Sequence, residues 1–303
     1  MDGVSVGDGY AEQLTQADLR LIAAVTEPPG PLGPPGPPGQ SGPPGPPAQP
    51  GDPAMLERQL ADPRVFEAIF GPDSLASREA VLVSPFLAFA VAVHRAAADL
   101  AEVRYVAERS AARQRVPVFD APELRDFLGS AERRLFLAEL LSSFTRVTSG
   151  RYEVSVGGRS RTRRFSELDP VRLAGLLDAV PDESRPGIYR RLGDVALFLS
   201  GVFPDYVAGR AFGPVNAARL LRAAQVPMGE RERLAATPDL ELLEHLGTRW
   251  YRSALALAPV RTSRLSVVAE VADRFRQGRR VLNHVADRYL MGPGTSWFAA
   301  PGQ

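Results

Sequence analysis

The sequence predicts a mainly α-helical protein. It would be a bundle-like helical domain with one β-hairpin at about residues 146–165, preceded by a disordered Pro/Gly-rich segment. Three observations lead there. A capping side chain followed by proline recurs at Ser84-Pro85, Asp169-Pro170 and Thr237-Pro238, a pattern suited to a first helical turn. From residue 54 onward apolar residues recur mostly at helical spacing. Residues 151–165 alternate in the manner of strands around Gly157-Gly158, a pair able to take the positive φ values of a tight turn.

Taken in order, residues 1–13 are rich in Gly and Asp and are expected to fray. Leu14, Ala17, Leu21 and Val25 then space a short amphipathic helix. Glycine falls at 30, 33, 36, 39, 42, 45 and 51, with Ala48 in the place of one more, and proline fills most positions between. Residues 30–53 thus resemble the collagen Gly-X-Y repeat, in which only glycine fits the axis of three wound chains. The resemblance implies a triple-helical stalk, whereas the composition by itself describes a stiff polyproline linker. The expected division is a tail at 1–26, a linker at 27–53, a helical domain at 54–291 and a tail at 292–303.

Within that domain, two short helices are separated by Asp62-Pro63, and a long Ala-rich helix runs from Ser84-Pro85 to about Glu108. Val103–Val106 and Val116–Phe119 could form short strands, the second confined to an edge by Pro117. Asp120 and Ser130 are placed to cap the next two helices. Residues 187–206 form the expected central helix, apolar around most of its circumference. There Gly193, Asp194 and Gly201 leave one face where another backbone can approach. A further helix follows Gly213-Pro214, another runs from Pro238 to Ala258, and the last extends unbroken from Thr262 to about Met291.

Composition sets limits on function. The chain has 303 residues, a formal charge of +1 and no cysteine, which excludes disulfides, zinc–thiolate sites and cysteine nucleophiles. All 36 basic residues are arginine, a bias expected of a GC-rich bacterial genome. The N-terminus reads as acidic and lacks an apolar core for a signal peptide. No apolar run reaches the ~20 residues that span a bilayer. A cytoplasmic protein without membrane contact is the expectation. No phosphate-binding loop, dinucleotide fingerprint or nucleophile elbow occurs, so no cofactor and no catalytic residue is indicated.

Three functional readings follow. Absence of catalytic motifs favours a protein acting through contacts with another protein. Arg151, Arg159, Arg161, Arg163 and Arg164 on the hairpin favour anion or nucleic-acid contact, with Arg159, Arg161 and Arg163 on one face. The third reading is a metal-dependent enzyme, drawn from Glu270, His284 and Asp287 along the last helix; Asp273 and Asp287 would stand in register two heptads apart. Asp194, inside the most apolar helix, requires a partner and is the candidate buried ion pair or pocket acid.

Overall fold

The computed structural model describes residues 6–26, 53–72, 83–111, 114–156, 159–209, 212–260, 262–291 and 297–298. Among the described residues the fold is mainly α-helical, with two small antiparallel hairpins. Contacts divide the chain into two compact units, Met1–Ala98 and Asp99–Gln303. The linker expected at 27–53 lies outside the described residues except for Pro53, which opens a helix.

The first unit contains α1 (Val6–Gln13), α2 (Gln16–Thr26), α3 (Pro53–Leu60) and α4 (Pro63–Phe70). Helix α5 (Pro85–Glu102) begins in it and crosses the division. Residues 6–13 do not fray. Tyr10 is completely buried, its ring lying beside Phe86 and His94, and α1 packs on α3. The Asp18 carboxylate accepts from the Thr15 N–H and hydroxyl at 2.8 Å each and from the Ser84 N–H at 3.0 Å. Residues 6–26 thus group with the helices after the linker, because the aromatic and acid they supply are partnered there. Ser84 Oγ caps α5 by accepting from the Leu87 N–H at 3.1 Å.

The second unit begins with a hairpin, β1 (Val106–Ala111) and β2 (Gln114–Val118), followed by α6 (Ala121–Leu128) and α7 (Ala131–Ser143). The second hairpin is β3 (Ser149–Val156) with β4 (Arg159–Ser166); after it come α8 (Pro170–Ala174) and a 3₁₀ turn over Gly175–Asp178. Helices α9 (Arg185–Val202), α10 (Pro204–Gly209), α11 (Gly213–Ala223) and α12 (Met228–Ala235) precede α13 (Asp239–Leu257). Helices α14 (Ser263–Asp273) and α15 (Phe275–Val285) and a π turn over Ala286–Leu290 complete the unit.

Helix α9 is its core. Leu192, Val195, Ala196, Leu197, Phe198, Leu199 and Val202 are each at most 1 % exposed, and burying one such side chain contributes about 2 kcal/mol. Its longest contact is with α13 and its next with α15. A Cβ at Gly193 would run into the Tyr251 ring; one at Gly201 would stand 2.6 Å from Leu282 Cβ and 3.1 Å from the Arg279 carbonyl oxygen. The backbone approach expected at this face therefore occurs at Gly201, while Gly193 admits an aromatic ring. The helix stops at Val202, short of residue 206, because Pro204 bars helical geometry at Phe203, which sits at φ −124 and ψ 51. Phe298, in the segment expected to be a C-terminal tail, is buried with its ring 5.1 Å from that of Phe198.

Two further expectations give way. Asp120 makes no capping bond to α6; its carboxylate turns to Arg280. Arg280 also meets Glu108 at 2.9 Å, and Arg279, only 3 % exposed, is held by both Glu108 and Glu244. The last helix is not continuous. It breaks at Arg274, at φ −119 and ψ 36, and α15 then starts with Phe275 buried against the bare face of Gly247.

Candidate functional site

A cleft of about 480 Å³ opens in the second unit. It is bounded by β4, by α8 with its 3₁₀ turn, by the start of α9 and by α11. The hairpin is anchored first. Register pairs Tyr152 with Arg163 and Gly150 with Phe165, so these four share one face. The Phe165 ring lies over Gly150, and the Tyr152 hydroxyl reaches to 2.7 Å from where a Gly175 Cβ would stand. That face rests on α8, which starts where Asp169 Oδ1 accepts from the Val171 and Arg172 N–H groups at 3.0 and 3.1 Å.

Packing of this face carries Arg163 to the cleft. Arg219 and Arg222, three residues apart on α11 and so neighbours on its surface, reach it from another side, and Arg185 from the first turn of α9. Arg185 is paired with Asp182 at 2.8 Å. Arg163, Arg219 and Arg222 have no carboxylate partner among the described residues, and Asp178 is the one acid on the cleft wall. On the floor, Gln225 Nε2 donates to the Tyr189 hydroxyl at 2.9 Å, with Gln225 in the left-handed region at φ 55. The result is a polar cavity with an excess of fixed positive charge, the complement of a small polyanion.

The hairpin arginines are divided by register. Arg151 stands opposite Arg164, both exposed, on the face away from Arg163. For Arg159 and Arg161 the described structure is the backbone of β4 alone. Arg185, Arg219 and Arg222 were not among the sequence candidates. The signal for two of them is the Arg219-Leu-Leu-Arg222 spacing on an amphipathic helix, which does not reveal what that face will meet.

Asp194 lies away from the cleft. It accepts from Arg190 Nε and from the Tyr251 hydroxyl, both at 2.8 Å. Complete burial, and then the neighbouring Asp194 charge, push the Tyr251 hydroxyl well above its ordinary range, so it stays a donor. The Arg190 guanidinium stacks 5.0 Å over the Phe136 ring. This is a half-buried ion pair at the edge of the packing of α9 on α13.

The residues proposed for a metal are not brought together. Glu270 meets Arg133 at 2.6 Å, and Asp287 takes a forked pair of bonds from Arg115 at 3.0 and 2.8 Å. His284 lies edge-on to Tyr289. The break at Arg274 also destroys the expected register of Asp273, which pairs with Arg252 instead. Among the described residues, no group of three His, Asp or Glu could hold a metal ion, and no helix is long and apolar enough to cross a membrane. No protein-family model, curated protein or solved structure matches the chain.

Proposed function

We propose that the protein works by binding a phosphate-bearing anion in the arginine cleft, as a binding module and not through covalent chemistry. The observation that carries this is the convergence of Arg163, Arg219 and Arg222, from a strand and a helix far apart in sequence, on one cavity where none of the three is paired with a carboxylate among the described residues. Unpaired like charges facing one cavity repel, and an anion relieves that repulsion while accepting charge-assisted hydrogen bonds. The split of the hairpin arginines between two faces favours a compact anion over a nucleic-acid strand laid along the hairpin.

Calorimetric titration with inorganic pyrophosphate tests the reading. Binding is expected to weaken between 50 and 200 mM salt. Replacing Arg163, Arg219 or Arg222 by Ala is expected to weaken it about ten-fold per residue. Salt-independent affinity, or an unchanged triple variant, refutes it.

A second reading, contact with another protein, draws on a different surface. Tyr105 and Phe119 are 54 % and 76 % exposed with ring centroids 5.7 Å apart, and Val103 and Val116, at the same hairpin, are exposed too. Apolar groups gathered in this way suit a partner surface. Self-association measured by sedimentation that survives Phe119→Ser would count against this patch as the contact.

A further inference from the structure

A second cavity, of about 320 Å³, adjoins the arginine cleft and shares Arg219 and Val171 with it. Its lining is mostly polar too, but it adds two half-buried aromatic rings, Tyr206 and Phe212, over the buried Leu199 and Val207, and Asn216 presents an amide on the helical turn before Arg219. From the joint geometry we infer that the ligand is a nucleoside phosphate, with phosphates in the arginine cleft and the base in this second cavity. The inference rests on the anion-binding reading above and extends it.

The chemistry of the two compartments selects the ligand class. A phosphate or diphosphate fills only part of a cleft of about 480 Å³, so whatever carries it has room to extend. The neighbouring wall offers two aromatic rings, on which a flat base can stack. Asn216 offers one donor and one acceptor side by side, the complement of the edge of a base. A lipid chain fits poorly there, because Asp169 and Arg172 also line the cavity and an acyl chain leaves such groups unsolvated. Arg219, on the wall common to both cavities, is placed to bond the phosphate nearest the sugar or to stack on the base. Both cavities fall within the size range of small-molecule sites.

The test titrates the full-length protein with pyrophosphate, phenyl phosphate, ADP, GDP, CDP and UDP under one buffer and salt condition. At least one nucleoside diphosphate is expected to bind about ten-fold or more tightly than pyrophosphate, the scale of one stacked base. Phe212→Ala and Asn216→Ala should each erase that advantage while leaving pyrophosphate affinity unchanged. Thermal melting of each variant checks that the fold persists, and if one fails to fold the other still decides. Equal affinity for pyrophosphate and all four nucleotides overturns the nucleoside assignment and leaves the anion cleft standing. Phenyl phosphate binding as tightly as the best nucleotide overturns it too, pointing to a phosphorylated aryl group. Binding of none of the six overturns both readings.

Discussion

Replacing Gly193 by Ala places a methyl group where the Tyr251 ring now lies. In an isolated helix the change would stabilise by about 1 kcal/mol, since glycine is a poor helix former. Here the ring has nowhere to go. Tyr251 is completely buried, and its hydroxyl is tied to Asp194 at 2.8 Å. Overpacking of this kind costs about 1–3 kcal/mol, and swinging the ring aside would forfeit a hydrogen bond to a carboxylate, about 1.5–3 kcal/mol. Net of the helix-propensity gain, either route leaves a loss of about 0.5–2 kcal/mol. Gly187→Ala is the control: nothing lies within 4 Å of its missing Cβ, so that change should be neutral or stabilise by up to about 0.5 kcal/mol. Guanidinium unfolding followed by tryptophan fluorescence is the assay. Trp250 and Trp297 are the only tryptophans and both belong to Asp99–Gln303, so the signal reports that unit. If Gly193→Ala proves as stable as the parent while the control behaves as expected, the packing of α9 on α13 is not as described.

Arg279→Met should destabilise the second unit by about 1.5–3 kcal/mol, because Glu108 and Glu244 lose the buried cation they share while keeping Arg280 and Arg276 respectively; a loss below about 1 kcal/mol would show that those acids re-solvate freely. Acid should weaken the fold in a defined window. Burial, with Arg249 beside His245 and Arg288 beside His284, lowers both imidazole pKa values. The unfolded chain therefore binds protons first as pH falls below about 6.5, and stability present above that pH is lost as pH drops toward the lower folded values. His284→Gln should flatten this dependence, measured as the unfolding midpoint between pH 7.5 and 5; an unchanged slope would show that His284 does not titrate on unfolding.

What the sequence determined by itself is local. Ser84, Ser130 and Thr262 accept the orphan N–H groups of the helices they precede, because a cap needs only a side-chain oxygen within three residues. The β3–β4 hairpin was legible from alternation around two glycines, and the central helix from its apolar circumference. Features depending on distant partners were not. Strand β1 is fixed in place by Asn283, which accepts from the Arg109 N–H at 3.0 Å and donates to the Gly201 carbonyl at 3.3 Å. Asp120 leaves its capping position because Arg280 offers a full charge, and the last helix breaks where a ring fits the notch at Gly247. The arginine cleft is of this second kind. Strand periodicity sets the side to which Arg163 points, but only tertiary packing brings Arg219 and Arg222 to the same cavity. Each helix is free to present its charged face to water until the burial of apolar faces elsewhere sets its orientation.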